Sequence, residues 1–281
     1  MSSKLKIGIQ GAAASFHDVA ARKFFSPEEI EVVECSSFKI LCESLASRES
    51  KFCMMAIENT IAGSILTNYS LLERYGFKIL GEVYLPISLN LMALPGQTVG
   101  DIQFVQSHPM ALFQCEDFLF NFPHIKVLEA ADTAESAKNI SEKKLRAFGA
   151  IASELAAQTY GLEILQSRIE TNKLNYTRFF AICRSEDYVL PKNPDKVSLR
   201  FETEHEPGSL TKALDVLKKY KINLAKIQSI PILGRPYQYS IHIDAEWIQY
   251  ADFEKALEEF KKVTSNLFLF GEYKRAEREG I

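Results

Sequence analysis

Residues Asn175-Tyr176-Thr177-Arg178-Phe179-Phe180 set an amide, a hydroxyl and a permanent cation in front of an aromatic pair. The apolar run from Phe179 to Ile182 reads as a strand, and a strand end is a rigid place from which to present Thr177 and Arg178 to a cleft. Arginine is a planar five-donor fork suited to carboxylates. The hydroxyl beside it is suited to donate to a leaving oxygen. Taken alone, the pair also fits an ordinary strand-end threonine with a surface arginine.

Three further clusters lie at strand-to-helix junctions, where ligands of open α/β sheets sit. Gly11-Ala12-Ala13-Ala14-Ser15-Phe16-His17 has small residues that let an anion approach backbone N–H groups at a helix start, or that simply form a tight turn capped by Ser15. Glu58-Asn59-Thr60-Ile61-Ala62-Gly63-Ser64 ends a buried strand and opens a helix. Asn59 and Thr60 are candidate donors to a carboxylate and Ser64 a candidate cap; a capped helix with a solvated Glu58 fits equally well. Ser107-His108-Pro109 begins a helix with proline in its first turn. His108 there suits capping or packing, and Gln114 points from that helix into a cleft.

The elements that must carry these residues alternate. Strands at 6–10, 31–35 and 52–57 are separated by helical spacing at 15–25 and 38–46, and the pattern continues through a helix at 65–75, a strand at 81–94, a helix at 109–120 and further short elements to residue 160. This alternation predicts an α/β fold with largely parallel sheets. Residues 186–195, with Pro191, Asn193 and Pro194, read as a linker. Beyond it the order becomes β-α-β-β-α-β, the ferredoxin-like arrangement.

The chain of 281 residues is long enough for two cores, and 47% hydrophobic with 25% charged residues is ordinary globular composition. A net charge of -3 gives no reason to expect a nucleic-acid partner. No segment reaches membrane-spanning length, and the N-terminus runs directly into a strand, so neither membrane nor secretion is expected. Cys35, Cys42, Cys53, Cys115 and Cys183 are scattered and mostly within apolar runs. They predict reduced, buried thiols in a cytoplasmic protein, without a disulfide frame or metal site.

The junctions together resemble the prephenate dehydratases over nearly the whole chain. The Gly11 turn, Glu58-Asn59-Thr60 with Gly63-Ser64, Ser107-His108-Pro109 with Ala111-Leu112, and Asn175 with Thr177-Arg178-Phe179 occur in the family's order. Residues 196–281 resemble an ACT domain, an amino-acid-sensing module: Pro207-Gly208-Ser209-Leu210 matches its turn, and Asn223-Leu224 with Gln228-Ser229-Ile230-Pro231 its second effector segment. Departures are His17 where the family has a hydroxyl, Ala14 where it has glycine, Met110 for glutamine, and Gln228 and Ile230 for glutamate and arginine.

The resemblance implies a two-lobed, periplasmic-binding-protein-like (type 2) catalytic domain over 1–185, with lobe 1 near 1–80 and 161–185 and lobe 2 near 81–160. It implies conversion of prephenate to phenylpyruvate, with loss of carbon dioxide and water. Thr177 then assists the leaving hydroxyl. Arg178, Asn59, Thr60, Ser64, Gln114, Ser15, Asn175 and Phe179 bind substrate, and no cofactor is needed. L-phenylalanine is the implied effector, held by Gly208, Ser209, Leu210, Asn223, Leu224, Gln228 and Ile230 where two subunits of a homodimer or homotetramer meet, with the Gly208 turn facing the Asn223-Leu224 strand start. His17 stands as a substituted donor or as a solvent-exposed helix-start histidine. Arogenate, and a non-enzymatic sensor of a small anion, are the competing readings.

Overall fold

The computed structural model of the chain describes residues 4–232 and 234–277. They form two compact units: residues up to Asn68 with Val83–Ala181, and Tyr69–Glu82 with the residues from Ile182 on.

The chain opens with β1 (Leu5–Gln10), α1 (Phe16–Phe25), β2 (Ile30–Cys35), α2 (Phe38–Ala46) and β3 (Phe52–Asn59). Ile7 and Ile9 of β1 and Cys53, Met54, Met55 and Ile57 of β3 are fully buried, as expected for strands covered on both faces. β1 pairs in parallel with β2 and β3. The segment after β3 is a hairpin, not a helix start: β4 (Gly63–Ser64) folds back antiparallel, with Ser64 opposite Glu58, before α3 (Leu66–Tyr75) begins.

The apolar run 81–94 is not one strand. It divides into β5 (Lys78–Pro86) and β6 (Asn90–Ala93), because Pro86 has no N–H with which to extend a ladder. The chain then builds β7 (Phe104–Ser107), α4 (Pro109–Gln114), α5 (Glu116–Phe120), β8 (Lys126–Glu129), α6 (Thr133–Lys143), β9 (Phe148–Ala152), α7 (Glu154–Tyr160) and β10 (Glu163–Gln166). It returns as β11 (Tyr176–Cys183). The first sheet has the order β2-β1-β3-β11-β5 and the second β10-β6-β9-β7-β8. β7 runs parallel to β8 and β9, whereas β6 is antiparallel to β9 and β10; the second sheet is mixed.

The result is two α/β lobes, in the arrangement the family resemblance implies. The chain passes between their sheets at residues 87–89 and 167–175. Gly161 is not a crossing; it is the left-handed cap of α7 at φ 62, where glycine carries no Cβ penalty.

The remaining elements are β12 (Lys196–Glu202), α8 (Ser209–Lys219), β13 (Asn223–Pro231), β14 (Tyr239–Glu246), α9 (Tyr250–Val263) and β15 (Ser265–Tyr273). Their sheet has the order β13-β14-β12-β15, with β12–β14, β12–β15 and β13–β14 antiparallel. This is the ferredoxin-like β-α-β-β-α-β fold. Val197, Leu199, Phe201 and Ile243 form its core with Ala213, Leu217, Phe253 and Phe260 of the two helices. Alternation turns Lys196, Ser198, His242, Asp244 and Glu246 to the opposite face, and these too are buried. There Lys196 Nζ lies 3.0 Å from Glu82 and 3.1 Å from Glu246. All five cysteines are buried and free. Among the described residues no helix is long and apolar enough to cross a membrane.

Candidate active site

A cavity of ≈ 270 Å³ lies between the two lobes. Its polar lining includes Ser15, His17, Asn59, His108, Gln114, Asp132 and Thr177; Phe38, Ile65, Ile87, Leu89 and Phe179 supply apolar walls. A larger chamber of ≈ 760 Å³ adjoins it through Gln10, Ala131 and Asp132.

Thr177 and Phe179 reach the cavity from β11. Arg178 does not, because consecutive strand residues point to opposite faces. Its guanidinium is 3% exposed, 3.8 Å from the Glu58 carboxylate, and stacked over the rings of Phe180 and Tyr84 at 4.7 and 5.8 Å. The expected carboxylate clamp is thus an element of packing behind the strand. Among the described residues no Lys or Arg lines the cavity, so an anion held there must rely on neutral donors.

Asn59 is the centre of the polar network. Its Oδ1 accepts the N–H groups of Ile61 and Ala62, both at 2.9 Å. Its Nδ2 donates to Asn175 Oδ1 at 2.8 Å, Thr177 Oγ1 at 3.0 Å and Tyr176 O at 3.2 Å. Asn175 is fully buried and passes the network on, donating to Gln114 Oε1 at 2.9 Å. Asn175 therefore touches the site from behind and does not line the cavity. Thr60 and Ser64 do not line it either. Thr60 Oγ1 instead ties the hairpin to the returning chain, accepting from Tyr176 N at 2.9 Å and donating to Leu174 O at 3.3 Å. Ser64 is occupied in the β4 pairing.

The loop before α1 is not an open anion turn. Ala13 N–H donates to Glu34 at 2.7 Å and Ala14 N–H to Asp18 at 2.7 Å. Protein carboxylates thus take the loop N–H groups. Ala14 sits at φ 66, a left-handed conformation that suits the glycine of the family pattern. Ser153 Oγ and Tyr160 OH of the second lobe donate to the carbonyls of Ala14 and Ala13 at 2.7 and 2.8 Å. A Cβ on Gly11 would come within 2.5 Å of Asp132 Oδ2. Burial raises the Asp132 pKa, while the N–H groups of Glu135, Ala134 and Ala12 oppose that rise. Ser15 is 1% exposed, and its Oγ has no partner among the described residues. It is a spare donor on the cavity wall.

His17 is turned inward. Nε2 accepts from Ala56 N–H at 3.3 Å, and the ring packs edge-on against Phe179 at 5.0 Å. Burial lowers its pKa from 6.5 to about 3, so the neutral ring carries its proton on Nδ1. His17 therefore contributes no titration near pH 6.5, and kcat should lack an inflection from it there. The unfolded chain binds a proton between pH 6.5 and about 3 that the folded chain refuses. Its contribution to stability is present above about pH 6.5 and lost as the pH falls. Chemical denaturation of wild type and His17→Gln at several pH values checks this: the stability difference should shift in favour of the variant as pH drops from 6.5 to 4. A constant difference refutes it. His108 is a cap, its Nδ1 accepting Met110 N–H at 3.2 Å.

Within one chain the Gly208 turn and the Asn223-Leu224 strand start do not meet. Gly208, at φ 87, caps the start of α8, while Asn223 and Leu224 begin β13 beyond its far end. The 11 residues of α8 put these positions roughly 16 Å apart at 1.5 Å per residue. The turn therefore does not face the strand start of its own chain. Ser209 is buried, Leu210 packs on the helix-covered core, Gln228 Nε2 donates to Ser229 O at 3.0 Å, and Ile230 pairs with Ser240.

Phe38, Ile87, Leu89 and Asp132 were missed by the sequence reading. They lie on three separate segments, at the start of α2, at residues 87–89 and just before α6, none of them within a junction pattern.

A sequence profile of the family described as prephenate dehydratase matches residues 7–187. The chain is 34% identical over 278 residues to the bifunctional chorismate mutase/prephenate dehydratase of Aquifex aeolicus, spanning 98% of this chain and 75% of that one. It is 38% identical over 234 residues to arogenate dehydratase/prephenate dehydratase 1 of Arabidopsis thaliana, spanning 83% and 59%. The solved prephenate dehydratase of Arthrobacter aurescens in complex with L-Phe superposes with a TM-score of 0.86 at 25% identity, covering 98% of this chain and 91% of that one. A protein described as a novel type of quorum quenching acylase superposes with a TM-score of 0.86 at 26% identity, covering 96% and 98%.

Proposed function

Because the chain belongs to the prephenate dehydratase family, we propose that it converts prephenate to phenylpyruvate, and that the cavity of Thr177 is where it does so. The observation that carries this is the Thr177 hydroxyl on the cavity wall, with Asn59 Nδ2 donating to its oxygen at 3.0 Å. That bond leaves the hydroxyl proton for the substrate. The ring carboxylate leaves as carbon dioxide, its bonding electrons enter the ring, and the C–O bond to the ring hydroxyl breaks. Aromatisation supplies the driving force. The departing hydroxide takes up one proton from solvent to become water, and Thr177 stabilises its charge meanwhile. A threonine hydroxyl is too weak an acid to be a poised proton source; as an oriented donor it acts as in an oxyanion hole. Ser15, His17 Nδ1–H and Gln114 are neutral donors for the substrate carboxylates. Formation of phenylpyruvate from prephenate by the purified chain tests the reading, and no formation sinks it.

Arogenate, with an amino group in place of the keto oxygen, is the second reading, favoured only by the double name of the Arabidopsis relative. Turnover of both substrates side by side separates them. An acylase needs an activated nucleophile. The two cavity histidines each spend their acceptor nitrogen on a backbone N–H, so neither is placed to take a proton from Ser15 or Thr177.

Residues 1–185 are the proposed catalytic domain, 186–195 the linker and 196–281 an ACT regulatory domain, although Tyr69–Glu82 packs with the latter. L-phenylalanine is the proposed effector, bound between the Gly208 turn of one subunit and the Asn223–Pro231 strand of another in a homodimer or tetramer. Inhibition then reflects its different affinities for two subunit arrangements. Gly208 has open space around it but a φ of 87, which valine adopts only under strain. Gly208→Val should abolish inhibition and leave turnover without effector intact. Retained inhibition would place phenylalanine elsewhere. Deleting the C-terminal domain is a poorer test, because it strips Glu73 and Glu82 of Arg200 and Lys196.

A further inference from the structure

We propose that Asn175, which does not line the cavity, is a positioning residue that sets the hydrogen-bond polarity of the site, so that both ends of a buried amide relay present donors to the substrate. The inference rests on the dehydratase reading for what the substrate is, but its geometry stands apart from it.

An amide's oxygen and nitrogen are told apart by their partners. Here the backbone decides. The N–H groups of Ile61 and Ala62 are donors only, and both end on Asn59 Oδ1 at 2.9 Å. Asn59 must therefore turn Nδ2 toward Asn175 and Thr177. Asn175 receives that N–H on Oδ1 at 2.8 Å, so its own Nδ2 is the group that meets Gln114 at 2.9 Å. Gln114 consequently uses Oε1 for Asn175. Its Nε2 has no further partner among the described residues, and Gln114 lines the cavity. At the other end, Thr177 Oγ1 accepts from Asn59. Its proton cannot point back at Asn59 and is free for the cavity. Two backbone N–H groups thus fix, through three amides, one O–H and one NH2 as donors. A dianionic substrate with a departing hydroxyl needs donors at these places and no acceptors.

Replacing Asn175 by aspartate tests the relay, because a carboxyl changes its polarity with pH, and full burial at this position raises its pKa out of the ordinary carboxylate range toward neutral pH. Protonated, Asp accepts from Asn59 through C=O and donates to Gln114 Oε1 through O–H, as the amide does. Ionised, it only accepts. Gln114 must then turn Nε2 toward it and present Oε1 to the substrate. Relative to wild type, Asn175→Asp should lose at least about tenfold in kcat/KM at pH 8, and the ratio should recover to within about threefold near pH 5.5. Charge repulsion alone would give a similar profile. The measurement is therefore repeated in a Gln114→Met background, where the pH-dependent loss from Asn175→Asp should largely vanish. An unchanged loss there, or a loss that ignores pH, overturns the proposal.

Side-chain amide NMR reads the same polarity in the unliganded wild type, without turnover and without a variant. The Asn175 NH2 should be protected from solvent exchange and the Gln114 NH2 should not. The reverse pattern overturns the relay even if the protein is a dehydratase. The expected pattern in a protein inactive on prephenate would instead remove the substrate reading and leave the relay standing.

Discussion

Thr177→Val should lower kcat for phenylpyruvate formation by about a hundredfold or more while the fold remains intact. Valine keeps the branched shape on β11 and removes only the hydroxyl. One oriented donor to a developing oxyanion is typically worth about 3 kcal/mol in a water-poor site, and no other hydroxyl is placed by the relay to replace it. The fold loses little. Asn59 Nδ2 gives up one acceptor at 3.0 Å but keeps Asn175 Oδ1 and Tyr176 O. The unfolding midpoint should therefore move far less than the rate. A variant with near-normal kcat would take the leaving-group role away from Thr177. One that loses activity and stability in parallel would show that the hydroxyl matters for structure first.

The contrast between Thr177 and its neighbour shows where the sequence was legible. That the segment is a strand, and that its threonine faces a cleft, followed from the apolar run and the junctions around it. The period of two that puts Thr177 and Phe179 on one face necessarily puts Arg178 on the other, yet chemistry drew both residues toward the substrate. Sequence spacing gives the face only after one knows which face is the cavity. Asn59 was named as a substrate donor because its type fits a carboxylate. Its spacing also fits a turn in which Oδ1 accepts the N–H groups two and three residues on, and this second reading is the one the fold uses. The small residues of the Ala13–Ala14 loop allowed either an anion site or a tight turn. Glu34 and Asp18, which take its N–H groups, come from β2 and from one helical turn onward, and only the latter is near in sequence. The ferredoxin-like element order could be read from the periodicity of residues 196–273 without help. The grouping of Tyr69–Glu82 with those residues could not, since it depends on contacts more than a hundred positions apart.

Those long-range contacts carry the largest expected effect on stability. Lys196 is fully buried, with Nζ 3.0 Å from Glu82 and 3.1 Å from Glu246. Glu82 also accepts the N–H of Ala276 at 3.2 Å, and Glu246 lies 3.7 Å from Arg275. Desolvating three charges is costly, so the cluster as a whole adds little net stability. Breaking it is another matter. Lys196→Ala leaves two carboxylates in an interior where water cannot replace the ammonium, and should cost about 3–5 kcal/mol. The loss should appear in the denaturation transition of the unit that contains Tyr69–Glu82 and β12–β15. Lys196→Met combined with Glu82→Gln and Glu246→Gln removes the charge problem along with the cation. It should recover most of the loss, since a buried ion cluster replaced by uncharged groups of similar volume is often near neutral. The comparison separates two accounts of the same contacts. If the single variant falls by 3–5 kcal/mol and the triple variant does not, the charges require one another more than the fold requires them. If Lys196→Ala costs under about 1 kcal/mol, water reaches the carboxylates and the cluster behaves as a surface network.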